Sequence, residues 1–305
     1  MTSSQKAGLV GTPYQDPFNA KPGGATMQRN APNGANRRTC RSTGRRISRR
    51  AALGTLAMVC GAGLIGVGVG SVAREASTAN SYRRLSQTAA IPQPIDETTT
   101  SGKDPPATAR HDWTSLQAIN PATAAWLAVG GTAIDLPVVT TKNEEEQDWY
   151  LSHDLWGQPS ASGTPFMDWR CKGADGRHVC AYAHHMTSTS GMFSQLQGVY
   201  EQGAFDALGT LLWETPDGAA QASPLCALRV DAGWQEIQHF DWDAAAVGRD
   251  NPGFASWLED VARQADALSP NATALLRTVT RCFTLVTCSS GFARQRWRTL
   301  ALWVC

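Results

Sequence analysis

Near its C-terminus the chain reads Thr284-Leu285-Val286-Thr287-Cys288, an apolar run that ends on a thiol. Ser289-Ser290-Gly291 follow at once. Cys288 therefore sits where a strand gives way to a loop, a common place for reactive groups. Arg294, Arg296 and Arg298 come next, ahead of a second apolar run at 299–304. If that run returns antiparallel to 283–288, Arg298 lies across from the thiol. Positive charge beside a cysteine favours the thiolate, its nucleophilic form. Upstream, Ala183-His184-His185-Met186 closes the apolar run 179–183. Neighbours on a strand point to opposite faces, so one histidine can face the thiol, and parity alone does not say which. A lone buried cysteine is usually a small hydrophobe. A thiol with an imidazole and a guanidinium in reach is the equipment of cysteine acyl transfer.

Two other readings use the same residues. Cys171, His178, Cys180, His184 and His185 are five possible zinc ligands within a short span. Structural zinc sites favour two close pairs, and Cys171 and Cys180 are too far apart in sequence to make one. A Cys171–Cys180 disulfide closing a loop between strands fits better. With Cys288 kept as a free thiol, five cysteines remain in the same part of the chain (171, 180, 226, 282, 305), an odd number for pairing. A hairpin that sets Cys288 opposite Arg298 also brings Cys282 close to Cys305. The two fall one residue out of register there, on opposite faces unless a bulge intervenes. An exported thiol–disulfide protein would carry Cys-x-x-Cys, and none is present.

The elements that must position these groups are short. Apolar runs at 125–129, 134–139, 165–169, 179–183, 210–214, 225–232, 283–287 and 299–304 are bounded by Gly, Pro, Asp or Asn, as strands are. So many short strands predict a barrel or sandwich. Residues 113–119 read as a short helix closed by Asn120-Pro121. Asn251-Pro252 offers an N-cap and a first-turn proline. Phe254, Trp257, Leu258, Val261, Ala262, Ala265 and Leu268 then share one face, predicting an amphipathic helix to 268 before the last two strands. Glu144-Glu145-Glu146 reads as a solvated loop.

The N-terminal part has a different character. Residues 1–50 hold ten Lys+Arg and one acid, and read as a disordered cytoplasmic tail. Residues 51–73 carry no charge and are long enough to span a bilayer as a helix. Seven arginines between 37 and 50 precede this run. They predict a signal-anchor with the N-terminus cytoplasmic and the rest outside. They are topology signals here, so no nucleic-acid partner is implied. A cleaved leader is the competing reading of the same run. Residues 74–108 read as a polar stalk, with a possible helix at 74–89 and a proline-rich stretch after it. The folded domain spans 109–305.

In order along that domain, several blocks resemble class B sortases, the membrane-anchored cysteine transpeptidases of Gram-positive bacteria. Thr284-Leu285-Val286-Thr287-Cys288 is similar to the family's TLxTC signature. Ile119-Asn120-Pro121, Ile134-Asp135-Leu136-Pro137, Trp149-Tyr150-Leu151-Ser152-His153-Asp154, Ser162-Gly163-Thr164-Pro165 and His184-His185-Met186 extend the resemblance. It implies a mostly β fold, an eight-stranded barrel with a short N-terminal helix and a helix inserted before the last two strands. It implies a catalytic His184, Cys288 and Arg298, with Val286, Thr287 and Ser289 beside the thiol as substrate contacts. Two positions depart from the family pattern: Ala183 stands where Gly is usual, and Val286 where class B often has Ser. The implied reaction transfers exported proteins, cut at a C-terminal sorting signal, onto an amine of a cell-wall precursor or pilin lysine. No metal or organic cofactor is implied. The alternative is a catalytically silent protein that keeps the barrel and holds a peptide or another ligand.

Overall fold

The computed structural model describes residues 77–91, 110–186, 189–242, 252–289 and 297–305. The predicted tail and the charge-free run 51–73 lie outside the described residues, as does most of the stalk. Among the described residues no helix is long and apolar enough to cross a membrane.

Helix α1 (77–89) leads into β1 (Ala90–Ile91), which pairs with β2 (Arg110–His111). Five helices follow: α2 (Trp113–Ile119), α3 (Glu144–Tyr150), α4 (Gln202–Phe205), α5 (Pro252–Arg263) and α6 (Ala272–Arg277). The main sheet contains β3 (Thr123–Val129), β4 (Asp135–Val139), β5 (Phe166–Met167), β6 (His178–Tyr182), β7 (Leu211–Thr215), β8 (Gly218–Asp231), β9 (Ala267–Leu268), β10 (Cys282–Cys288) and β11 (Trp297–Val304). Neighbours run β11-β10-β6-β5-β4-β3-β7-β8, and β11 pairs with β8 as well. Eight strands thus close into a barrel, which leaves no free edge among them. The ninth, β9, adds to the outside of β8 at Cys226 and Ala227.

The strands form where the apolar runs stand, and both faces of β10 and β6 are buried. One face of β10 carries Phe283, which packs against Trp213 at 5.5 Å between rings. The other carries Cys282, Thr284, Val286 and Cys288. Helix α5 lies over the first part of that face: the Trp257 ring sits 4.9 Å from that of His178, which is paired with Cys282. Phe254, Leu258 and Val261 make the buried side of α5, spaced by four and three residues.

Four expectations need correction. The helix begun at Pro252 ends at Arg263, not 268, because Ala267 and Leu268 pair with β8. The three glutamates at 144–146 open α3: Asn143 caps it by accepting the Glu146 N–H at 2.9 Å, and acids suit that end of a helix. Cys171 and Cys180 are both free thiols. The Cys171 sulfur accepts the Cys180 backbone N–H at 3.3 Å and so lies over the main chain of β6, not beside the other sulfur. Cys282 pairs with Val304 instead of Cys305, and both cysteines are free. The hairpin keeps the register that sets Cys288 opposite Arg298, with no bulge to bring the thiols onto one face.

His178 is fully enclosed, with Nδ1 on the His239 carbonyl and Nε2 on the Thr284 hydroxyl, each at 2.9 Å. Burial pushes its pKa down to about 4, against roughly 6.5 in an unfolded chain. Between those values the unfolded chain binds the extra proton, so stability rises with pH through that window. We expect this contribution to be full above about pH 6.5 and to shrink by about 3 kcal/mol as pH falls to about 4. Urea unfolding of the wild type and of His178→Gln across that range checks it. The variant should show a flatter pH slope, and equal slopes would contradict the assignment.

Candidate active site

Three strands bring the predicted chemistry together. In the antiparallel pair of β10 and β11, Cys288 stands opposite Arg298. In the parallel pair of β10 and β6, Val286 stands beside Tyr182. The ladder continues one step further, where the Ala183 N–H donates to the Val286 carbonyl at 3.3 Å. The strand pairing of β6 with β10 ends at Tyr182, and His184 falls beside Cys288 only if the same register carries on. Adjacent residues across a sheet share a face and lie about 5 Å apart. Cys288 and Arg298 are therefore cross-strand neighbours on one face of the barrel, and Val230 of β8 extends that row past Arg298. Cys288 and Arg298 are buried, at 6% and 3% exposure.

The two histidines are held differently. His184 Nε2 meets the Leu151 carbonyl at 2.8 Å. A carbonyl only accepts, so Nε2 carries the proton and Nδ1 of the neutral ring is left as the basic nitrogen. Burial pulls the His184 pKa below its ordinary value, and the Leu151 carbonyl partly offsets this by favouring the charged ring. His185 is also depressed by burial, offset by its bond to the backbone of Cys288. It thus reaches the main chain of the thiol residue, whereas His184 reaches the Leu151 carbonyl. Met192 pairs with His185 at a positive φ of 53°, a backbone conformation that costs a non-glycine residue about 1 kcal/mol or more.

The other predicted site residues divide. Val286 lies on the Cys288 face and lines a shallow cleft with Tyr182, Val230, Ile237, Arg298 and Leu300. Thr287 points to the opposite face, fully buried, and its hydroxyl donates to the Ala183 carbonyl at 2.9 Å. It ties β10 to the segment that carries His184. Ser289 is buried, its N–H on the Trp297 carbonyl at 3.1 Å. Arg296 lies outside the described residues.

The outer wall of the cleft is the segment 231–242. It is fastened through Arg170, which forks onto Asp168 at 2.8 and 2.6 Å and reaches Gln238 at 3.2 Å. Tyr182 donates to the same Asp168 at 2.9 Å, so the cleft floor and its wall share one buried carboxylate. Neither this wall nor Leu151 is visible as a site in the sequence, because both act through backbone placement. Asp168 next to an Arg at i+2 was the one available signal.

Among the described residues no three His, Cys, Asp or Glu side chains converge as a metal site. Of the five ligands weighed for zinc, His178 spends both nitrogens on protein partners, and the Cys171 sulfur is engaged by the Cys180 backbone N–H.

No protein-family model matches the sequence, and no curated protein does. Solved structures do match. The chain superposes on a mutant form of Clostridium perfringens sortase B with a TM-score of 0.53 at 22% identity, covering 63% of this chain and 84% of that one. Sortase B of B. anthracis, in complex with AAEK1, gives 0.53 at 18% identity over 74% and 94%. A Staphylococcus aureus sortase B–substrate complex gives 0.51 at 21% identity over 63% and 83%. The chain has the sortase fold. The eight-stranded barrel, the helix before the last two strands and the likeness to class B in particular agree with the resemblance carried by the sequence blocks. In this sortase fold Arg298 lines the cleft between β8 and the 231–242 wall.

Proposed function

We propose that the protein is a class B sortase, a cysteine transpeptidase acting on exported proteins. The observation that supports this reading is Cys288 paired opposite Arg298, with the Ala183 N–H on the Val286 carbonyl bringing the segment that carries His184 to the same strand end. The Cys288 thiolate attacks the scissile carbonyl of a sorting-signal peptide lying in the cleft. The carbon–nitrogen bond of the tetrahedral intermediate then breaks, and His184 Nδ1, which took the proton of the Cys288 thiol as the thiolate formed, gives it to the departing amine. A thioester to Cys288 remains, and one hard step has become two. An acceptor amine attacks the thioester, His184 takes its proton, and the new amide leaves as the thiolate is restored. The Arg298 fork steadies the oxyanion in both steps, where a permanent charge in a dry site counts most. Val286 contacts the peptide, and Thr287 holds the strands that carry the thiol and the imidazole.

The solved complexes support both substrates: an S. aureus sortase B structure holds substrate, and another sortase B structure holds triglycine. By analogy this chain takes a peptide and an amine, the latter from a cell-wall precursor or a pilin. The charge-free run 51–73 and the arginines before it support a single membrane anchor, with the barrel on the outer side where exported substrates are. Helix α1, in the first part of the predicted stalk 74–108, packs into the folded domain through Tyr82, Leu85 and Ala89, so that part is not a free spacer ahead of a domain starting at 109.

Incubating the protein with a panel of candidate sorting peptides and amines, read by mass, tests the reaction class. A product joining the truncated peptide to the amine is expected. Reversible peptide binding with no cleaved product across the panel would instead identify a silent binding protein on the same barrel.

A further inference from the structure

The Leu151 carbonyl that meets His184 belongs to a segment clasped from the N-terminal helix. Tyr82 of α1 is almost fully buried, at 2% exposure, and its hydroxyl sits inside the 150–164 turn. It accepts the Leu155 N–H at 3.0 Å. It donates toward the Gly163 carbonyl at 3.2 Å and the Thr164 hydroxyl at 3.1 Å. Thr164 passes its own proton to the His153 carbonyl at 2.9 Å, which leaves its oxygen free to accept from Tyr82. The Thr164 N–H in turn holds the Tyr150 carbonyl at 2.9 Å, one peptide before Leu151. Gly163 completes the clasp. It adopts a φ of +62°, and a Cβ there would lie 2.5 Å from the Tyr150 oxygen and 3.0 Å from the Leu151 oxygen. One hydroxyl thus ties both arms of the turn together, against the carbonyl that fixes the imidazole.

We propose that Tyr82 is a positioning residue: through Leu155, Gly163 and Thr164 it holds the Leu151 carbonyl on His184 Nε2, and so sets the tautomer and aim of the catalytic imidazole. This rests on the transpeptidase reading for its catalytic meaning, though not for its geometry. It gives α1, the helix that follows the proposed anchor directly, a part in the chemistry. A buried tyrosine hydroxyl is retained because three groups around it would otherwise lose their partner.

Tyr82→Phe removes only the oxygen and keeps the ring that packs 5.4 Å from Trp156. Gly163→Ala strikes the same carbonyl from the other side and leaves α1 untouched. Both should lower kcat about tenfold with KM within about twofold, as expected for a catalytic group displaced without loss of substrate contacts. Both should also move the acid limb of the pH profile to lower pH. The reason is that the Leu151 carbonyl favours protonated His184, so its loss leaves burial unopposed. The other titratable or charged groups near this imidazole are His185 beside it, Cys288 and Arg298 along the row, and His153 and Asp154 on the turn; none is altered by either change. The nitrogen-15 and proton signals of the His184 Nε2–H in the full chain report the same bond without any turnover. We expect them to shift and exchange faster in both variants. If the signals and the acid limb stay in place while only thermal stability falls, Tyr82 is structural and the proposal is wrong. If the signals shift as expected but even the wild type transfers nothing, the positioning stands and the transpeptidase reading fails.

Discussion

Cys288→Ala is expected to fold as the wild type does and to lose transfer by at least about 10⁴-fold, the scale seen when a covalent nucleophile is removed. Folding should survive because Cys288 is the last residue of β10, and the hydrogen bonds of that ladder are made by backbone atoms. The deleted sulfur is small, so the remaining cost is about 1 kcal/mol or less. Among the described residues no other cysteine can stand in. Burial pushes Cys171 and Cys226 up to about 12 and raises Cys180, Cys282 and Cys305 as well, so all five stay protonated thiols at neutral pH. Initial rates of peptide-to-amine transfer, with circular dichroism as the folding control, check this. A variant within tenfold of wild type would remove the thiol from the mechanism.

The second large effect separates two adjacent histidines. His184→Ala should slow transfer by about 10³-fold, within the range ascribed to a positioned general acid–base. His185→Ala should cost less than about tenfold, because its ring engages the backbone of Cys288. The pH dependence follows the same assignment. Burial depresses His184, so the imidazole is neutral at physiological pH, and the limb that reports it should lie below the ordinary histidine range. His185→Ala should leave that limb in place. The reverse ranking of the two variants would mean that the strand register does not continue past Ala183.

This pair also shows where the sequence stops being informative. Alternation along a strand says that His184 and His185 face opposite ways, but not which way either faces. The answer needs the parallel register of β6 and β10, a contact between segments about 100 residues apart. Arg298 was legible because its strand follows Cys288 directly, and a hairpin fixes its own register. The barrel was legible from its short apolar runs, and those runs hold seven of the eight closing strands within a few residues of their ends. The exception is β8, whose run began at 225 while the strand starts at Gly218, since Gly218–Gln221 pair with β7 without an apolar pattern. Helix α3 was hidden because its exposed acids look like any solvated loop. Only the Asn143 cap and the buried Gln147 and Tyr150 mark it as a helix. The disulfides were misjudged for a related reason: spacing shows that Cys171 and Cys180 come near each other, but not that the first sulfur turns onto the backbone of the second strand.

Substrate recognition is shared in the same way. Val286 is the one substrate candidate chosen from the sequence that lines the cleft, whereas Tyr182, Val230, Ile237 and Leu300 enter it through pairing on three other strands or the 231–242 wall. The cleft holds only about 20 Å³, with apolar residues and Arg298 in its lining. These residues stand on the same strands as Cys288 and Arg298, so in the proposed reaction peptide binding and activation of the thiol would be set by the same few strands.

The most direct measurement is the mass and location of a covalent adduct formed when wild-type protein meets a cleavable sorting peptide without acceptor amine. An increment equal to the N-terminal part of the peptide, mapped by digestion to Cys288 and lost on adding the amine, is the predicted result. Cleavage of the peptide with no adduct on Cys288, or with the adduct on another cysteine, would contradict the account.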